Sequence, residues 1–170
     1  QEISHDRLTS IRGGLTYFGC GFGCLTFESQ ISRRLEIASR SASEATTGTP
    51  LSRTSGTSTY THFRLNSSYS FVPFEKYSLK FIAGGQYTDD GLLNSEQTTI
   101  VGLDRISSLT SGAISGDKVW FLRSELTRNF SITKNTNLSP YLYSAMGVAY
   151  INKPTVAENK ETAAKSIGGG

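Results

Sequence analysis

The chain has 170 residues, 36% of them hydrophobic and 18% charged, with a formal net charge of +3 and a mean hydropathy of −0.27. This length suits one domain, and so small and scattered a positive excess reads as solvated surface, not as a nucleic-acid interface. No run of about 18 apolar residues is present to form a transmembrane helix, a test that a membrane barrel also passes because its apolar residues alternate with polar ones.

Period-two alternation recurs in segments of about ten residues. In the first, residues 6–17, Ile11, Leu15 and Tyr17 share one face, and Ser10, Arg12 and Thr16 the other. Residues 25–37 alternate most clearly. Leu25, Phe27, Ile31, Leu35 and Ile37 face one way, opposite Thr26, Glu28, Gln30, Ser32, Arg34 and Glu36. Residues 39–59 are rich in Ser, Thr and Gly and form a long connection. Residues 61–71 predict a third strand and 77–87 a fourth, joined by a short turn at Pro73, Glu75 and Lys76. A fifth is predicted at 98–103, followed by a long loop over 104–117. Further strands are predicted at 118–131, 138–151 and 162–170. About eight antiparallel strands with alternating short and long connections predict an all-β closed barrel, or an arc of one. The wholly polar faces suit a wet lumen behind a lipid-facing wall; a soluble antiparallel sheet with one face in water is the alternative. Tyr17, Phe18, Tyr69, Phe71, Phe74, Tyr77 and Tyr87 gather near strand ends, as a girdle in a membrane barrel or as core in a soluble one.

Chemistry-bearing residues are sparse. Cys20 and Cys24 bracket Gly21-Phe22-Gly23 where two strands reverse, which places them opposite each other on the polar face. A disulfide is favoured over free thiols. A metal site is not expected, because no further Cys or His lies nearby. His5 and His62 have no acidic or nucleophilic partner at recognisable spacing, and Glu28 and Glu36 form no catalytic pair. Gly19–Gly23 follows a strand but opens no helix, so it is no phosphate loop. Neither an enzyme nor a cofactor is expected. The chain opens at Gln1 without Met or a signal-peptide pattern and ends in three glycines. It reads as an internal piece of a longer protein, the alternative being a mature protein with a glycine tail.

The order of motifs over residues 80–126 is more specific. A strand ends in Gly85-Gln86-Tyr87, and Leu92-Leu93-Asn94-Ser95-Glu96-Gln97 follows. A long loop closes on Ser115-Gly116-Asp117, and the next strand carries Arg123-Ser124-Glu125-Leu126. This resembles the barrel of two-partner secretion transporters, the haemolysin secretion/activation family of outer-membrane pores. The resemblance implies an antiparallel transmembrane barrel of about sixteen strands, of which residues 1–170 would form a partial domain, roughly the seventh to fourteenth strands. Periplasmic domains and the first and last strands would lie outside it. It implies the outer membrane of a Gram-negative bacterium, contact with its lipid, and a secreted haemolysin- or adhesin-type exoprotein as the partner that passes through the lumen.

The same frame makes 104–117 a loop folded into the lumen, with Arg105, Ile106, Ser107, Ser108, Leu109, Ser115, Gly116 and Asp117 as its candidate residues. Arg123, Glu125, Tyr143, Ala145 and Gly147 are the candidates on the lumen wall. In the family the loop carries Val-Arg-Gly-Phe or Val-Arg-Gly-Tyr, which falls here on Ile106-Ser107-Ser108-Leu109. Its partner Asp, in Phe-x-Asp-x-Gly, falls on Ala145 within Tyr143-Ser144-Ala145-Met146-Gly147. Both halves of one ion pair are replaced by small neutral groups, which avoids leaving one uncompensated buried charge. The loop is then expected to be held by Arg105 or Asp117 reaching Arg123 or Glu125. An insertase or porin-like channel, and a soluble barrel that binds a ligand inside, are the rival readings.

Overall fold

The computed structural model describes residues 9–35, 53, 56, 59–133 and 136–170. The expectations for residues 1–8, for 36–37 and for most of 39–59 lie outside the described residues. The fold is all-β, with β1 Ser10–Cys20, β2 Cys24–Arg34, β3 Thr61–Phe74, β4 Tyr77–Tyr87, β5 Thr98–Thr99, β6 Ser115–Gly116, β7 Lys118–Arg128, β8 Phe130–Thr133, β9 Thr136–Leu138, β10 Tyr141–Tyr150 and β11 Glu161–Gly169. Seven of these form one antiparallel sheet in the order β1-β2-β3-β4-β7-β10-β11. The sheet does not close on itself, as expected for an arc of a larger barrel. No helix among the described residues is long and apolar enough to cross a membrane, which says nothing of crossing by strands.

Alternation sets the two faces, because successive side chains on a strand point opposite ways. The register carries one face across the sheet: Thr16 pairs Glu28, Gln30 pairs Arg64, Arg64 pairs Gln86, Gln86 pairs Val119 and Arg123 pairs Ala145. This is the polar face. The other carries Leu15, Ile31, Phe63, Phe81, Leu122, Leu126, Met146 and Ile167, all of them exposed. A water-soluble sheet buries such a row; here it is the outer surface.

The predicted strand at 98–103 is corrected. Only Thr98 and Thr99 are strand, and they pair with Ser115 and Gly116 instead of joining the wall. The short apolar run Ile100-Val101 reads as a strand in the sequence, but both residues are fully buried in a small core with Ile106, Val119, Ala145 and Ala149. The loop therefore runs from residue 88 to residue 117 and lies on the polar face. The strands expected at 118–131 and 138–151 are each interrupted. The wall ends at Arg128, and a small hairpin, β8–β9, projects beyond it.

Cys20 and Cys24 are disulfide-bonded across the turn at 21–23. That turn, the one at 75–76 and the β8–β9 hairpin lie at one end of the sheet. Leu35 and Tyr60, the loop 88–117 and the connection 151–160 lie at the other.

Room for the loop is made by small residues on β10 and β11, with Ala145, Gly147 and Ala149 buried beneath it. A Cβ at Gly147 would stand 2.8 Å from the Trp120 carbonyl oxygen and 3.1 Å from Phe121 Cβ. At Gly116 it would stand 2.7 Å from the Tyr150 carbonyl oxygen. Gly147→Val is expected to lower unfolding stability by about 1–3 kcal/mol through overpacking. Gly21→Ala, with nothing within 4 Å of the added carbon, is expected to leave the denaturation midpoint nearly unchanged.

Candidate functional site

The loop is rooted in β4. Gln86 is buried on the polar face, and its amide nitrogen donates to the carbonyl oxygens of Glu96 at 3.3 Å and Asp117 at 3.1 Å. Its amide oxygen accepts from Arg64 Nε at 2.6 Å and Thr98 Oγ1 at 2.7 Å. One side chain thus ties the outgoing and returning limbs of the loop to the wall. A single turn of 3₁₀ helix at Asn94–Glu96 brings Glu96 under the wall cations. Its carboxylate lies 3.0 Å from Arg12 and 3.9 Å from Arg64. Buried carboxylates need such partners.

Deeper in the loop the anchor is Arg123. It is 3% exposed. Its Nη1 donates to the Arg105 carbonyl and to Ser107 Oγ, both at 3.0 Å. Its Nε pairs with Glu125 at 2.7 Å, and its guanidinium stacks 3.9 Å from the Tyr143 ring centre. Ala145, its register neighbour on β10, is buried against Ile106 and Val119. The cation therefore sits on the wall and its acceptors on the loop, the reverse of the arrangement implied by the tetrad whose Arg Ser107 replaces. Arg105 uses its backbone oxygen on Arg123. Its side chain donates to the Thr99 carbonyl and lies 4.7 Å from the Phe121 ring centre. Ile106 is fully buried, whereas Ser108 and Leu109 are exposed. Ser115 is half-buried, and Gly116 packs on the Tyr150 backbone.

Asp117 departs from expectation. It reaches neither Arg123 nor Glu125 and pairs with Arg53, both oxygens lying within 2.9–3.0 Å of Nη1. Nothing in the sequence around Arg53 signals this, because it lies in a Ser/Thr/Gly-rich connection 64 positions from its partner. Gln86, Glu96, Arg12, Arg64 and Asn152 were missed as site residues too. For Arg12 and Arg64 the alternating pattern gave the face, but a partner that arrives on a loop leaves no local trace.

Between this loop and strands β1–β4 lies an open chamber of about 550 Å³, lined among others by Glu28, Gln30, Arg64, Asn66, Gln97 and Arg105. Its lining of amides, hydroxyls and mixed charges suits hydrogen bonding to an extended polypeptide better than the capture of a compact apolar ligand. Among the described residues no three His, Cys, Asp or Glu side chains group to hold a metal.

Burial, and secondarily the Glu96 charge, pushes the Tyr60 hydroxyl up to about 12. Burial lowers the Arg105 pKa, and the Arg64 charge adds to this. Glu158, in the connection after β10, is held below its ordinary value of 4.5, first by the Thr155 backbone N–H, with Arg53 contributing. A carboxyl depressed on folding contributes stability that is present above its ordinary value and lost as pH falls through the folded one. Melting followed from neutral to acid pH is therefore expected to show a smaller acid loss in Glu158→Gln than in the parent chain.

Truncating a hydrogen bond to a buried charged group costs about 1.5–3 kcal/mol. Ser107→Ala is expected to lose about that much in unfolding free energy. In Arg123→Gln the same Ser107→Ala change is expected to have little further effect, read as coupling in a double-mutant cycle. Additive losses would mean that the two side chains do not act together.

The model of a family described as haemolysin secretion/activation protein ShlB/FhaC/HecB matches residues 2–169. Among solved structures, CdiB from Escherichia coli is similar, with a TM-score of 0.70 at 17% sequence identity. The match covers 100% of this chain and 32% of that one, so the chain spans about a third of its neighbour's length. No curated protein sequence matches.

Proposed function

The chain belongs to the haemolysin secretion/activation family, and on that footing we propose that it forms part of the wall of an outer-membrane pore for two-partner secretion. In this reading the polar face is the lumen, the exposed apolar face meets lipid, and the loop 88–117 lies inside the channel. A haemolysin- or adhesin-type exoprotein is the partner, passing unfolded to the cell surface through polar contacts with the wall and loop. Residues 1–170 are a partial barrel domain, completed by further strands and by periplasmic domains. The tight turns mark the periplasmic end and the long connections the cell surface.

The observation that carries this reading is the combination of an outward apolar row with an inward face whose charges are met by a long loop. A soluble ligand-binding barrel places its apolar residues inside. Here Leu15, Ile31, Leu122, Met146 and Ile167 are exposed, while Arg12, Arg64, Gln86 and Arg123 point at the loop. Lys165 interrupts the apolar pattern on β11; its long stem can carry the ammonium to the interface. The loop, anchored at several depths, favours a regulated polypeptide pore over a plain porin.

The register refines where charge is tolerated. Ile31 pairs with Phe63 and Phe63 with Tyr87, beside Lys118, whose ammonium lies 4.6 Å from the Tyr87 ring centre. That row belongs to an aromatic interface. Leu122 pairs with Ala83 and Met146, further from the long connections. In lipid vesicles Leu122→Arg is expected to lower folding stability by about 2–4 kcal/mol, and Ile31→Arg by about 0–1 kcal/mol. Equal, negligible losses would contradict lipid contact. In cells, loss of the full-length protein is expected to abolish surface appearance of its exoprotein; undiminished export would contradict the transport role.

A further inference from the structure

The most heavily bonded polar cluster in the described residues stands at the rim where the long connections meet. Arg53 and Asp117 are 3% and 0% exposed. Besides both Asp117 oxygens, Arg53 donates to the Leu92 carbonyl at 3.0 Å and the Asn152 carbonyl at 2.8 Å, and its Nε lies 3.4 Å from Glu158. Asp117 accepts in addition from the backbone N–H of Leu92 at 3.0 Å and of Asn152 at 2.7 Å, and from the Gln97 amide at 3.1 Å. The Asn152 side chain donates to the carbonyls of Thr88 and Asp90, each at 2.9 Å.

No member of this cluster belongs to a wall strand. Arg53 lies between β2 and β3; Thr88, Asp90, Leu92 and Gln97 lie in the outgoing limb of the loop; Asp117 ends the returning limb; Asn152 and Glu158 lie between β10 and β11. Strand register is fixed without it, by ladders running from β1 to β11. The cluster therefore joins loops to loops. Its centre is a guanidinium that touches both limbs of the inward loop and a neighbouring connection at once. A planar fork of donors suits that task, and a single ammonium could not fill it.

We propose that Arg53 is a positioning residue for the inward loop: with Asp117 and Asn152 it clasps both limbs at the outer rim, so that the loop stays in the lumen while the clasp is closed. This rests on the pore reading above. Without the clasp, Gln86 still holds the Asp117 carbonyl and Arg123 holds the loop below, but the Asp117 side chain no longer ties the returning limb through Arg53 to the outgoing limb and to the connection after β10.

The test uses the full-length protein in lipid vesicles with Ser115→Cys as reporter, labelled by a membrane-impermeant maleimide. Heat-modifiable gel migration reports the wall independently. Arg53→Gln and Asp117→Asn are expected to keep the heat-modifiable form and to label at least about tenfold faster than the parent, because each leaves a buried charge without its partner. Arg53→Lys keeps the charge without the fork and is expected to label at an intermediate rate. Parent-like labelling in both Arg53→Gln and Asp117→Asn would overturn the proposal. So would loss of the heat-modifiable form in all three variants, since the cluster would then be building the wall. Conductance of the parent protein in planar bilayers is read separately: its absence would sink the pore reading, while the labelling rates would still decide the clasp.

Discussion

A guanidinium on the barrel wall and a loop that supplies its acceptors form the contact on which the rest of this structure turns. Arg123 is buried on the polar face of β7, where its charge must be met by something other than water. Glu125 meets part of it, and the ring of Tyr143 covers one side. The remaining donors need the Arg105 carbonyl and Ser107 Oγ, both on the loop. The wall cannot be satisfied without the loop, and the loop cannot sit there without space. Ala145, Gly147 and Ala149 supply that space by being small on the polar face, where the neighbouring strands carry larger side chains such as Gln86 and Arg123.

The other anchors repeat this logic at other depths. Gln86 holds both limbs at the root with three hydrogen bonds and is itself braced by a fourth from Arg64 on the wall. Glu96 draws Arg12 and Arg64 from β1 and β3 onto one buried carboxylate. Ile100, Val101 and Ile106 add apolar contact to Val119, Ala145 and Ala149, each fully buried side chain contributing about 1.5–3 kcal/mol. The apolar patch adds adhesion without direction; the charged and amide contacts set orientation, because an unpaired buried charge excludes the wrong seat. A loop held in this way has one seat, since its discrete bonds run to fixed points on the wall, which in turn needs the loop's acceptors.

Strand periodicity made most of the wall legible. Residues 25–37 alternate so regularly that the faces of β2 follow from the residues alone, and 77–87 coincides with β4. The misreading at 98–103 has a physical cause. Two buried apolar residues in a loop that packs on a sheet resemble a strand over so short a window. Contacts between the loop and the wall were legible only in part. Arg123 and Glu125 were legible as charges on one face because they lie two apart on one strand. The Ser107 and Ala145 replacements pointed to a different anchor. Which group would serve was not visible: Arg123 bonds a backbone oxygen, and Asp117 finds Arg53 across 64 positions. Neither leaves a pattern along the chain.

The central claim is that Arg123 on the wall holds the loop inside the barrel. The most direct measurement is a distance distribution by pulsed electron resonance between spin labels at Leu109, on the exposed part of the loop, and Thr162, on the polar face of β11, in the full-length protein in lipid. A single narrow distribution is predicted for the parent protein, broadening and lengthening when Arg123→Gln is introduced while the barrel stays folded. A distribution unchanged by Arg123→Gln would contradict the account.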